Sequence, residues 1–129
     1  MLTKLELAEN LNTPPEILAL LAKDTEWYVR CMVAQNPSTS SEILALLAKD
    51  EDWGVRSGVA LNSKTSPEIL ALLANDKYNF IKPLVAKNPN ASPETLALLI
   101  KDKDSRVSIM AFNNPKMPHE YKMLYLMEK

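Results

Sequence analysis

Residues 16–24, Glu-Ile-Leu-Ala-Leu-Leu-Ala-Lys-Asp, recur letter for letter at 42–50, with one change at 68–76 and two at 94–102. Each copy begins 26 residues after the last. A fixed period of this length marks a repeat architecture, in which a unit buries its apolar face only by stacking on its neighbours. The period divides the chain into an opening half repeat (1–9), repeats 10–35, 36–61, 62–87 and 88–113, and a closing half repeat (114–129). The first two repeats agree at 16 of 26 positions. At 129 residues the whole reads as one helical-repeat domain.

Each repeat predicts two helices. Thr13, Thr39 and Thr65 each precede a glutamate by three residues, the capping-box pattern, and Pro14, Pro15 and Pro67 suit a first helical turn. In the fourth repeat Ala91 holds the threonine position, and Ser92 is expected to cap one residue later. The six apolar residues that follow predict a helix buried on several sides, with Leu20, Leu46 and Leu72 in the stacked core. Asp24, Asp50, Asp76 and Asp102 end this helix and are placed to open the next.

The second helix reads Val29-Arg30-x-x-Val33-Ala34, Val55-Arg56-x-x-Val59-Ala60 and Ile81-Lys82-x-x-Val85-Ala86, weakening to Val107-Ser108-x-x-Ala111-Phe112. Apolar residues at i and i+4 predict a short helix exposed on one side. Gly58 and Pro83 inside it suggest one or two turns, partly 3₁₀. Asn36-Pro37, Asn88-Pro89 and Asn114-Pro115 turn the chain, asparagine bonding its own backbone. Met123, Leu124, Leu126 and Met127 fall on a closing helix.

Composition removes several classes of function. One cysteine, Cys31, allows no internal disulfide and no thiolate metal or iron–sulfur cage. Two glycines leave no phosphate-cradling loop, and nine prolines fit helices with few turns of positive φ. The absence of a signal peptide or an apolar run of about 18–20 residues predicts a cytoplasmic protein away from membranes. The net charge is −1, yet residues 1–76 carry 6 Lys/Arg against 11 Asp/Glu, and residues 77–129 carry 9 against 5.

The consensus N-P-x-T-x-x-E-I-L-A-L-L-A-x-D-x-D-x-x-V-R-x-x-V-A resembles the leucine-rich repeat variant family over about residues 3–126. Its D-x-x-V-R-x-x-V-A half is also similar to HEAT-type repeats. The resemblance implies an all-α, right-handed superhelix (a solenoid) in two layers, α-helices alternating with shorter, often 3₁₀, helices, without β-sheet. Some members of that family carry a cysteine-clustered iron–sulfur module before the repeats, which a lone Cys31 does not supply. The family implies no shared catalytic residues.

Two rows of residues are candidate sites. Trp27 and Trp53 share one position in the repeat, Tyr28 and Phe80 the next, and Tyr78 lies just before. They form either a partner-binding edge or packing over the inter-helix turn. Arg30, Arg56 and Lys82 form a cationic row, broken by Ser108. It either contacts nucleic acid or an acidic peptide, or pairs with the equally regular aspartates as a charge ladder.

His119 has no nucleophile near it in the repeat register, and Cys31 reads as a small packed side chain. The sequence thus points to a non-enzymatic scaffold for a protein or peptide partner, without cofactor or metal. Nucleic acid is the alternative. A monomer is expected, or weak end-to-end self-association.

Overall fold

A computed structural model of the protein describes residues 1–128. These residues form ten α-helices and neither strand nor 3₁₀ helix. They divide into two compact units, the first spanning Met1–Thr65 and the second beginning at Ser66.

In the first unit, α1 (Lys4–Glu9), α3 (Trp27–Gln35) and α5 (Trp53–Leu61) pack side by side as an inner layer. Helices α2 (Pro15–Leu21) and α4 (Ser41–Leu47) lie on that layer, each against the inner helices that flank it. In the second unit α7 (Ile81–Lys87) packs on α9 (Ser105–Phe112), with α6 (Pro67–Leu73) against α7 and α8 (Pro93–Leu99) against both. Helix α10 (His119–Met127) closes the chain and buries none of its residues, Met123, Leu124, Leu126 and Met127 included.

The expected balance between the two kinds of helix is reversed. The outer helices have seven residues each, whereas α3 and α5 have nine. The inner helices are α-helical and central: Val29, Val33, Ala34, Val55, Val59 and Ala60 are at most 2% exposed. The outer helices bury one stripe, Leu18 and Leu21 in α2 and Leu44 and Leu47 in α4. Leu20, Leu46 and Leu72, expected in the core, are 69%, 52% and 51% exposed. An outer helix has neighbours on only one side, so a continuous apolar run cannot all be covered.

Helix starts also differ from expectation. Thr13, Thr39 and Thr65 are not caps. Their buried hydroxyls donate to the carbonyls of Leu7, Val33 and Val59 at 2.6–2.7 Å, clasping the end of the preceding inner helix. The caps are Ser40, Ser66 and Ser92, whose Oγ accepts from the N–H three residues on, while Pro14 caps α2 without a side-chain bond. Ser92 was the expected exception and proves to be the rule. The reciprocal capping box falls instead on α1, between Thr3 and Glu6.

Asp24, Asp50 and Asp102 sit two residues ahead of the inner-helix caps, and Asp76 four residues ahead of the Phe80 cap of α7. Oxygens of Asp24, Asp50, Asp76 and Asp102 accept from the N–H two residues on, shaping the turn, and Asp52 and Asp104 cap α5 and α9. Helix α7 starts later than its counterparts because Pro83 is tolerated only in a first turn, where no N–H is needed. Gly58 sits where α3 and α5 come closest; a Cβ there would stand 3.0 Å from the Ala34 Cβ. No described residue has positive φ.

Candidate functional site: the aromatic edge and the cation ladder

Both rows of candidate residues lie near the turns between outer and inner helices. In the first unit Trp27 and Trp53 open α3 and α5, which pack side by side, so the two indoles share one edge. They are 49% and 48% exposed, and Tyr28 is 43% exposed. The Trp27 and Tyr28 rings meet edge to face, with centroids 6.0 Å apart. A Cβ on Gly54 would stand 3.4 Å from the Trp27 ring and 2.9 Å from Asp52 Oδ1. Glycine there lets the Asp52 cap and the indole close over the same backbone. Trp27 therefore lies close to the Gly54 backbone and stays half exposed.

In the second unit Tyr78 and Phe80 precede α7 and are also exposed. The Arg106 guanidinium lies 5.8 Å from the centre of the Phe80 ring and forms a 2.6 Å ion pair with Asp104. Lys77 approaches the Tyr78 ring at 5.9 Å.

The cations are engaged within the fold. Arg30 donates from Nε and Nη2 to both carboxylate oxygens of Asp50, at 2.8 and 3.1 Å. Its Nη1 donates to the carbonyls of Asp24 and Thr25, at 2.7 and 3.2 Å. Arg56 is buried, and its Nη1 donates to the Asp50 carbonyl at 2.8 Å. Lys82 Nζ pairs with Asp102 at 3.3 Å.

Lys4, which the sequence reading passed over, makes a further rung on Asp24 at 3.0 Å. Arg30 and Lys82 each reach an acid 20 residues ahead, and Lys4 keeps the same offset. The signal for it is the period itself, since Lys4 stands 26 residues before Arg30. The Asp50 carboxylate and its Glu51 and Asp52 neighbours hold the Arg30 proton more tightly than usual. The backbone N–H of Glu26, and then Lys4, hold the Asp24 carboxyl below its ordinary range.

A second ladder was invisible in the sequence. Asn36 Nδ2 donates to the carbonyls of Ala8 and Asn10, Asn62 to Ala34 and Asn36, and Asn114 to Ala86 and Asn88. Each of these asparagines also accepts the N–H two residues on, as expected of a turn. One buried side chain thus shapes its own turn and serves carbonyls at the end of the preceding inner helix.

Residues 27–52, one full period, match the leucine rich repeat variant family model. Over that stretch the chain is similar to one leucine rich repeat variant unit. The matched residues span α3 and α4, with Trp27 at the start and the Arg30–Asp50 pair inside. No curated protein and no solved structure gives a significant match.

The remaining candidates fall outside these rows. His119 is exposed at the first turn of α10. Cys31 is buried in the variant repeat, its Sγ donating to the Gly54 carbonyl at 3.3 Å, and burial pushes the thiol up. Among the described residues no group of three His, Cys, Asp or Glu is placed to hold a metal ion. Among the described residues no helix is long and apolar enough to cross a membrane.

Proposed function

We propose that the protein is a non-enzymatic helical-repeat scaffold that binds a protein or peptide through its aromatic edge. One observation carries the reading: Trp27, Tyr28 and Trp53 stand together, each roughly half exposed, on turns that the aspartate bonds and Gly54 hold in place. Half-buried indoles are rigid and already ordered, so little entropy is lost when a partner covers them. The outward leucines Leu20 and Leu46 extend the apolar surface of the same unit.

Nucleic acid is less well supported. Phosphate contact needs cations free to replace counterions. Arg30 and Lys82 are already paired with Asp50 and Asp102, and Arg56 is buried.

Capture from lysate tests the proposal, comparing the wild type with a Trp27→Ala/Trp53→Ala double variant, with and without nuclease. A protein band that survives nuclease and is lost with the double variant is expected. Material that is nuclease-sensitive and held equally by the variant would replace this reading with the nucleic-acid one.

A further inference from the structure

The groove occupied by Arg30 recurs three 26-residue periods later without its arginine. Asp24, Arg30, Leu46 and Asp50 line the first groove. Their counterparts in the period, Asp102, Ser108, Leu124 and Glu128, line a cleft of about 380 Å³ in the second unit.

The surroundings correspond closely at the aspartate end, whereas Glu128 follows α10 directly and Asp50 lies three residues past α4. Asp24 accepts from Lys4 Nζ and the Glu26 N–H, each at 3.0 Å; Asp102 accepts from Lys82 Nζ at 3.3 Å and the Asp104 N–H at 2.9 Å. Where Arg30 spans to Asp50, Ser108 is a short side chain, 3% exposed, with its hydroxyl turned back on the Ser105 carbonyl at 3.3 Å. Among the described residues Glu128, at the Asp50 position, has no ion-pair partner. Lys101 lines the cleft, but its counterpart Lys23 lines the first groove and does not displace the Arg30 guanidinium.

We propose that this cleft binds a guanidinium group supplied from outside the chain, an arginine side chain taking the place that Arg30 fills in the first unit. The carboxylate of Glu128 would accept the fork as Asp50 does, and the carbonyls of Asp102 and Lys103 stand for those of Asp24 and Thr25. Leu124 and Tyr121 offer the aliphatic stem an apolar wall.

Amide NMR titration of the full chain tests this with two probes, N-acetylarginine amide and a short Gly-Ser peptide holding one arginine. Saturable shifts centred on Lys103, Ser108 and Glu128 are expected from both. Citrulline in place of arginine, isosteric and neutral, should give none. Glu128→Gln, at an exposed position, should weaken binding about tenfold, the loss typical of a charged hydrogen-bond partner. Ser108→Arg should fill the cleft from within and abolish binding, its own amide spectrum reporting that it folds.

Equal affinity for the two probes would assign the site to small guanidinium compounds, and preference for the peptide would assign it to a protein chain. Absence of saturable shifts from both, equal binding of citrulline, or undiminished binding by folded Ser108→Arg would each overturn the proposal. The Trp27→Ala/Trp53→Ala variant should titrate as wild type does, so the cleft and the aromatic edge fail or stand separately.

Discussion

Leu46 and Leu47 follow one another in the same outer helix, yet the first is 52% exposed and the second 1%. The inner helices leave apolar side chains open mainly at their ends, as with Trp53 and Leu61 of α5, and enclose their middles. In α5 the buried set is Val55, Arg56, Gly58, Val59 and Ala60, and even the arginine is enclosed. The outer helix has the longer unbroken apolar run but the fewer neighbours. An inner helix such as α3 touches α1 and α5 on its sides and α2 and α4 above. An outer helix packs chiefly on the layer beneath it. Burial in a repeat protein is therefore decided by position in the layers, and the surplus leucines of the outer helix remain as surface.

A charge placed on each of the adjacent leucines should separate the two environments most widely. Leu47→Asp should abolish cooperative folding of the first unit, because it buries an uncompensated carboxylate. Leu46→Asp should melt within about 0.5 kcal/mol of the wild type, as exposed substitutions do. The milder Leu44→Ala should cost about 2–5 kcal/mol in urea denaturation, the range for truncating a fully buried leucine. If Leu46→Asp unfolds the protein as Leu47→Asp does, the outer face is covered by something and the assignment of layers fails.

A smaller effect is expected from the stitches that hold the inner layer. Asn62→Ala would strip the donor from the carbonyls of Ala34 and Asn36 and leave them buried, a loss of about 1–3 kcal/mol. Asn12→Ala, at an exposed position in the same unit, should be neutral by the same denaturation measurement. Equal effects would mean that the asparagine ladder is incidental to stability.

These differences explain what could be read before the fold was known. The 26-residue period and the Asn-Pro turns made an all-helical repeat chain plain. The ladder of cations and aspartates was also legible as an alternative, since both rows share the period. Depth was not. Six consecutive apolar letters carry no polar gap to mark which face turns outward, so Leu20 and Leu21 looked alike. The caps slipped by one residue because threonine fits the capping-box pattern, whereas its real acceptor, such as the Val33 carbonyl of Thr39, lies in the preceding helix. The asparagine ladder depends on carbonyls of the neighbouring repeat, a proximity no local pattern reports. The same is true of the Ser108 cleft, where the broken row was visible but not the space it left.

The smallest effects concern two rungs of one ladder, Arg30–Asp50 and Lys4–Asp24. The first is 13% and 12% exposed and joins the inner layer to the turn after α4; in the second, Lys4 is 67% exposed. Arg30→Met should cost about 1–3 kcal/mol, since it removes charged hydrogen bonds and leaves Asp50 short of a partner. Lys4→Met should leave the denaturation midpoint unchanged, because solvent screens an exposed pair. The Asp24 carboxyl separates the causes further. Its affinity for protons is lowered first by the Glu26 N–H and only then by Lys4. The folded state thus binds this proton less readily than the unfolded chain does. The stability Asp24 contributes is present above its ordinary value of 3.8 and is lost as pH falls below it. In an NMR titration Lys4→Met should return Asp24 only part of the way to 3.8. Full return would mean that the lysine, and not the turn, holds the carboxylate, and that even an exposed rung of the ladder governs the layer beneath it.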